Sequence, residues 1–201
     1  MIAIIDYDAG NLRSVEKAFQ YIGEEAVISR DRDEILAADK VVLPGVGSFG
    51  DAMGKLEKFK LINTIYDVVD KKTPFLGICL GLQLLFKRSD ESMGVNGLGI
   101  LEGEILRIPE TGGLKIPNTA WNSLDLQNNG RLFQGIPDKS FVYFVHSYYL
   151  KAASESIVRA SIEYGTHIHA SVEMENIFAC QFHPEKSGDI GLQILRNFAS
   201  L

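Results

Sequence analysis

The sequence predicts an α/β protein: a mostly parallel central sheet with helices on both faces, extended by antiparallel strands. Three observations lead there. In the first half, short apolar runs alternate with segments whose apolar residues recur every three or four positions, the pattern of right-handed βαβ units. Around Cys79 a compact apolar run passes directly into such a helical repeat. In the second half, strand-like runs follow one another with turn residues between them and little helix. Runs of that kind pair antiparallel, within the same sheet or as a small second sheet packed on it.

Taken in order, residues 2–5 form a short apolar strand and residues 6–11 a turn. Leu12, Val15, Phe19 and Ile22 repeat at helical spacing until Gly23 ends the helix. Residues 26–28 are the second strand, and Asp31 with Glu34 has the spacing of a capping box that opens a short helix. Residues 40–43 are the third strand, running into Pro44-Gly45-Val46-Gly47-Ser48-Phe49-Gly50. A helical stretch around Leu61, Ile65, Val68 and Val69 precedes the fourth strand, residues 75–78, punctuated by Pro74 and Gly77. Leu82, Leu85 and Phe86 then share one helical face. Beyond them, residues 102–108, 141–145, 157–162, 168–172 and 177–182 read as strands. Residues 188–198 close the chain as a helix, with Leu192, Leu195 and Phe198 on one side. No repeat, linker or low-complexity stretch divides the chain, so residues 1–201 read as one domain.

Hydrophobic content of 46% and charged content of 23% are those of an ordinary soluble globular domain. A net charge of −6 argues against nucleic acid and anionic membranes as partners. No apolar stretch approaches the ~20 residues of a membrane span, and the start Met1-Ile2-Ala3-Ile4-Ile5-Asp6 lacks the pattern of a signal peptide. Two cysteines, Cys79 and Cys180, do not make a disulfide framework in a chain of this size. The expected setting is a reducing cytoplasm.

Cys79 stands at the strand-to-helix turn with Gly77 and Gly81 two residues away on each side. Gly-x-Cys-x-Gly has the spacing of a nucleophile elbow, where crowded backbones exclude a Cβ at the flanking positions. An elbow lifts the side chain to a helix N-terminus, whose dipole and free N–H groups favour a thiolate and a developing oxyanion. The competing reading is a structural cysteine buried in an apolar strand. A base elsewhere in the chain decides between them, and His183 is the candidate. It leaves the last long strand, followed by Pro184, which fixes the turn, and by Glu185. In isolation such a histidine is usually a polar residue at a sheet edge. Here the spacing lets Glu185 bond one ring nitrogen while the other points away, the logic of a catalytic triad. Strand C-terminal ends of an open α/β sheet share one rim, so Cys79 and His183 can meet.

Oxyanion donors would be the Leu80 N–H, directly after the nucleophile, and an N–H of the loop Pro44-Gly45-Val46-Gly47, which otherwise reads as a plain turn. The loop lacks the Gly-Lys-Ser/Thr ending of a phosphate loop. His167 and His169 lie two apart on one strand face without a third ligand nearby, so a solvated face is the better reading than a metal pair. Cys180 reads as packing, Trp121 as core, and Arg88-Ser89-Asp90-Glu91 as a solvated helix exit.

Three stretches, residues 76–83, 44–47 and 182–187, together resemble the signatures of class I, triad-type glutamine amidotransferases. Residues 5–15 are similar to the start of those members that serve as glutaminase subunits in histidine biosynthesis, and residues 115–122 and 144–149 point the same way. The likeness runs nearly end to end. It implies the flavodoxin-like fold of that family, with Cys79 as nucleophile, His183 as acid and base, and Glu185 holding the histidine. It further implies oxyanion donors at the Val46 and Leu80 backbone, and glutamine held by Gly47, Gln83, Ser147 and Tyr148. The implied partner is a (β/α)8-barrel synthase subunit, met in a heterodimer along Asn11, Lys115, Trp121 and Asn122; there Trp121 would be an anchor instead of core. No cofactor and no metal are implied. Asp8, Asn118 and Ala120 depart from the glycine, histidine and glycine common at those positions, on the face implied for the partner. A stand-alone cysteine hydrolase or peptidase is one rival, opposed by residues 182–187. A non-catalytic stabilising subunit is the other, opposed by the intact Cys79, His183 and Glu185.

Overall fold

The computed structural model describes all 201 residues. Its centre is a parallel sheet built from runs apolar enough to be covered on both sides. Strand β1 (Ile2–Ile5) is buried throughout and pairs parallel with β2 (Ala26–Ser29) and β3 (Lys40–Gly45). β4 (Phe75–Cys79) pairs parallel with β3. The last strand, β12 (Ile177–Cys180), returns from the far end of the chain to lie parallel beside β4. The order β2-β1-β3-β4-β12 is a doubly wound arrangement, whose strand C-termini gather on one rim. Alternation along β1 feeds two cores: Ala3 and Ile5 face one, Ile2 and Ile4 the other.

Helices α1 (Leu12–Tyr21) and α6 (Gly188–Ala199) cover one face, where Phe19 packs against Phe198 at 6.4 Å between ring centres. Helices α2 (Arg32–Ala37), α3 (Phe49–Lys58), α4 (Leu61–Asp70) and α5 (Leu80–Leu84) cover the other. Asp31 caps α2 by accepting the Glu34 N–H at 2.9 Å, which is half of the expected capping box; the Asp31 N–H goes to Ser29 Oγ instead.

Two helices, not one, separate β3 from β4. α3 escaped the periodic reading because Gly50, Gly54 and its charged residues dilute a stripe of only Phe49, Ala52, Met53 and Leu56. α5 is shorter than its apolar spacing suggests. It ends at Leu84, and Leu85 and Phe86 stay fully buried in the turn that follows.

The second half realises both alternatives the sequence left open. β5 (Gly103–Arg107), β7 (Asp125–Leu126), β9 (Tyr148–Ala152), β10 (Val158–Glu163) and β11 (His167–Met174) extend the central sheet antiparallel from β12. β6 (Asn118–Ser123) and β8 (Phe141–His146) form a separate two-stranded ribbon. β6, β7 and β9 were not anticipated: β6 is mostly polar, β7 has two residues, and β9 follows β8 after Ser147 alone. The strand expected to reach residue 182 stops at Cys180. Trp121 is not core; it is 52% exposed on the ribbon. No helix is long and apolar enough to cross a membrane.

Candidate active site

β4 delivers Cys79 to the rim at φ 55°, ψ −108°, a left-handed conformation that a non-glycine residue adopts only when its surroundings impose it. The imposition is visible in the neighbouring glycines. A Cβ on Gly77 would stand 2.8 Å from the Gly81 carbonyl oxygen, and one on Gly81 would stand 1.8 Å from that of Leu43. Strand register sets Gly45 opposite Cys79. There Tyr7, fully buried, donates its hydroxyl to the Pro44 carbonyl at 2.9 Å and so fixes the start of the glycine-rich loop. α5 has only five residues, so its dipole is weaker than the elbow pattern suggests. The free N–H groups of its first turn remain.

β12, parallel to β4, brings His183 to the same rim. The His183 N–H donates to the Tyr143 carbonyl at 2.9 Å, and its carbonyl accepts from Ser187 Oγ at 2.6 Å. Ser187 Oγ accepts in turn from the Tyr143 N–H at 3.0 Å, tying the turn to β8. The ring's Nδ1 lies 2.9 Å from Glu185 Oε1, with both side chains buried. Asn11, expected at a partner surface, is half-buried and donates from Nδ2 to that same Oε1 at 2.6 Å. This contact is internal: with the His183 ring it gives that Glu185 oxygen two neighbours.

His183 Nε2 is buried with no such partner, and the neighbouring Cys79 is the group it can serve. Burial acts to lower the pKa of this ring, but Cys79 and Glu185 outweigh burial and push it up to about 10. At neutral pH the ring is an imidazolium. Cys180 differs in kind. It is fully buried, and burial, with the charges of Glu185 and Cys79 adding, pushes its thiol well above the ordinary range. It is an inert packing residue.

Cys79 and His183 open into one cavity of about 260 Å³, lined also by Val46, Gly47, Leu80, Gln83, Ser147 and Tyr148. These are the residues that the family resemblance implied for oxyanion and glutamine binding. Four further residues line it: Glu91, Pro117, Val145 and His146. Glu91 corrects the reading of residues 88–91 as a solvated exit. Ser89 is buried, Asp90 accepts the Arg107 N–H at 3.1 Å, and Glu91 accepts the Phe49 N–H at 2.7 Å while reaching the cavity. The helix ends early, at Leu84, and only the folded geometry reveals that Glu91 lines the cavity.

His146 ends β8 in a buried position, with Asn118 Nδ2 at 3.2 Å from its Nε2 and the Tyr148 carbonyl at 2.9 Å from its Nδ1. Burial, with the His183 charge adding and the Tyr148 bond opposing, pushes its pKa down to about 4. It is therefore neutral, protonated on Nδ1 and accepting at Nε2. Asn118 is thus no surface variation but the buried partner of a cavity histidine. Asn122 turns inward as well, donating to Asn118 Oδ1 at 3.2 Å. Lys115 and Trp121 are exposed, Trp121 lying edge-on to Tyr143. Asp8 has φ 61° and bonds Arg30 at 2.8 Å, a backbone that glycine adopts more freely.

His167 and His169 are not one solvated face. His167 is exposed and paired with Glu163, whereas His169 is buried. Its Nδ1 accepts the Ala152 N–H at 3.0 Å and its Nε2 faces Glu155 at 3.1 Å.

A family model described as glutamine amidotransferase class-I matches residues 3–200. Among relatives, the imidazole glycerol phosphate synthase subunit HisH of Methanocaldococcus jannaschii is 47% identical over 201 residues, covering 100% of both chains. The protein of that name from Bacillus cereus is 50% identical over 198 residues, covering 98% of this chain and 93% of its own. Among solved structures, PurLQS from Thermotoga maritima superposes with a TM-score of 0.78 at 20% identity, covering 99% of this chain and 97% of that one. A structure described as a glutamine amidotransferase gives 0.76 at 18% identity, covering 99% and 100%. At those identities the structural likeness speaks for the fold.

Proposed function

The chain belongs to the class-I glutamine amidotransferases and, within them, to the HisH subunits of imidazole glycerol phosphate synthase; from that premise we propose that Cys79, His183 and Glu185 hydrolyse glutamine and that the ammonia passes to a partner synthase subunit. The observation that carries this reading is one cavity where Cys79 and His183 meet the Gly47, Gln83, Ser147 and Tyr148 positions.

The Cys79 thiolate adds to the carboxamide carbon of glutamine, and the oxygen that gains charge is met by the Val46 and Leu80 N–H groups. The His183 imidazolium gives its proton to the departing nitrogen, which leaves as ammonia, and a γ-glutamyl thioester remains. Neutral His183 then takes a proton from water as the water oxygen adds to the thioester carbon. Sulfur leaves as thiolate, restoring the ion pair and releasing glutamate. Glu185 holds Nδ1 so that Nε2 carries the shuttled proton, and Asn11 steadies Glu185. Glu91, a carboxylate in the cavity lining, suits the α-ammonium of an amino acid substrate.

The partner is a (β/α)8-barrel subunit docked as a heterodimer in the cytoplasm, and it consumes the ammonia in making imidazole glycerol phosphate and aminoimidazole carboxamide ribonucleotide. The ribbon beside the cavity supports a docking face here: Trp121 and Phe141 are 52% and 58% exposed on it. Co-purification with the barrel subunit, followed by assay of the complex with glutamine and with ammonium salts, tests the reading. Synthesis from both nitrogen sources, with stoichiometric glutamate from glutamine, is expected. A complex that uses ammonia and never glutamine would overturn it.

A further inference from the structure

Gln181 lies one residue past β12, its N–H still held by the Ala170 carbonyl at 2.8 Å and its side chain wholly buried. A buried primary amide has an accepting end and a donating end, and both need partners. Here the assignment of the two ends follows from a group that cannot be reversed. Gln83 places an amide end 3.1 Å from the Tyr148 carbonyl oxygen. A backbone carbonyl only accepts, so that end of Gln83 is the NH2. The same NH2 lies 3.0 Å from one end of the Gln181 amide, which must then be its oxygen. The remaining end of Gln181 is therefore its NH2, and it stands 3.7 Å from Cys79 Sγ. Reversing Gln181 would set two NH2 groups against each other and an oxygen lone pair against the sulfur.

We propose that Gln181 is a catalytic hydrogen-bond donor to the Cys79 sulfur, locked in the donating orientation through Gln83 by the Tyr148 carbonyl. This rests on the reading of Cys79 as the nucleophile. The sulfur has two neighbours of opposite character. The Val145 carbonyl, at 4.0 Å, only accepts and suits the S–H of a neutral thiol. The Gln181 N–H suits a sulfur that carries charge, because a donor bonds an anion more strongly than a neutral atom. Gln181 thus favours the thiolate before attack, and favours it again when sulfur departs from the thioester with its electron pair. Between those points, with sulfur bonded to the acyl carbon, the bond is weak. Gln83 lines the cavity, so the lock is built from a residue in reach of the substrate.

The test is the pH dependence of Cys79 alkylation by iodoacetamide, read by peptide mapping on the full chain alone and in the complex with its partner. Gln181→Met keeps length and removes the donor. It should move the midpoint of the alkylation profile to higher pH by about one unit, corresponding to about tenfold. It should also lower kcat/KM for glutamine about tenfold, with ammonia-dependent synthesis unchanged. Gln83→Met leaves Gln181 in place but frees it to reverse, and should move the midpoint the same way by less. That second variant decides the matter if Gln181→Met fails to fold. A midpoint unmoved by either substitution, but moved by His183→Ala, would overturn the proposal and leave the glutaminase reading intact. A midpoint unmoved by His183→Ala as well would overturn the pairing of Cys79 with His183 on which the glutaminase reading rests.

Discussion

Gly81→Ala is the substitution whose consequence follows most directly from geometry. The added Cβ would lie 1.8 Å from the Leu43 carbonyl oxygen and 2.9 Å from its carbon. Both are backbone atoms of β3, hydrogen-bonded between β1 and β4, so no side-chain rotation relieves the overlap. Relief requires α5 to move off the sheet by roughly 1.5 Å or more before an ordinary carbon–oxygen contact of about 3.3 Å is reached. Overpacking of this kind costs about 1–3 kcal/mol. With rigid backbone on one side the upper end applies, which corresponds to a fall in Tm of roughly 6–12 °C at this chain length. α5 carries Leu80 and Gln83 and begins directly after Cys79, and a 1 Å misplacement at a reacting centre costs on the order of 10²-fold in rate. Gly54→Ala is the matched control. It lies at an exposed position of α3 with nothing within 4 Å of the new Cβ, and should gain about 0.5–1 kcal/mol with unchanged activity. Thermal unfolding of both variants, with glutamate release in the complex, gives the comparison. Wild-type melting and wild-type turnover in Gly81→Ala would refute the steric reasoning.

His183→Ala should slow glutamine hydrolysis by about 10²–10⁴-fold, and more than Glu185→Ala, since the ring moves protons while the carboxylate positions it; saturating-glutamine rates in the complex decide this, and equal rates for wild type and His183→Ala would place the base elsewhere. Asn11→Ala removes one of two donors from Glu185 Oε1 and should lower kcat several-fold; a change confined to partner affinity would return Asn11 to a docking role alone. Stability should peak near pH 6.5. The folded pKa of His183, about 10, lies above its unfolded value of 6.5, so the folded chain binds the extra proton and stability falls as pH rises through that window. The folded pKa of His146, about 4, lies below 6.5, so stability is lost as pH falls from 6.5 toward 4, by on the order of 3 kcal/mol. Urea unfolding across pH should show His146→Gln flattening the acid limb; an acid limb as steep as wild type would contradict the assignment.

The parallel half of the fold was legible because its strands are covered on both sides, which forces unbroken apolar runs, and its helices bury one stripe each. α3 was not, since glycines and charges thin its stripe to Phe49, Ala52, Met53 and Leu56. The ribbon strand β6 was not, because Asn118 and Asn122 face inward to polar partners, so polarity did not mark an exposed segment. The site divides the same way. Cys79, Gly77, Gly81, His183 and Glu185 could be read locally, because an elbow and a histidine–carboxylate pair impose spacing on the chain. Glu91, His146 and Gln181 could not. Each acts across the sequence, on Phe49, Asn118 and Cys79 respectively, and none sits in a pattern that local spacing constrains. Asn11 was singled out for a partner, and its bond to Glu185 was not foreseen, since nothing near it in sequence points there.

The central claim is that Cys79 attacks glutamine. Its most direct test is inactivation of the complex by a glutamine analogue carrying an electrophilic carbon in place of the carboxamide, followed by peptide mapping. The expected result is one label per chain on Cys79, glutamine-dependent synthesis lost in step with labelling, and ammonia-dependent synthesis retained. A label on Cys180 with Cys79 untouched, or loss of glutamine-dependent synthesis with Cys79 unmodified, would contradict it.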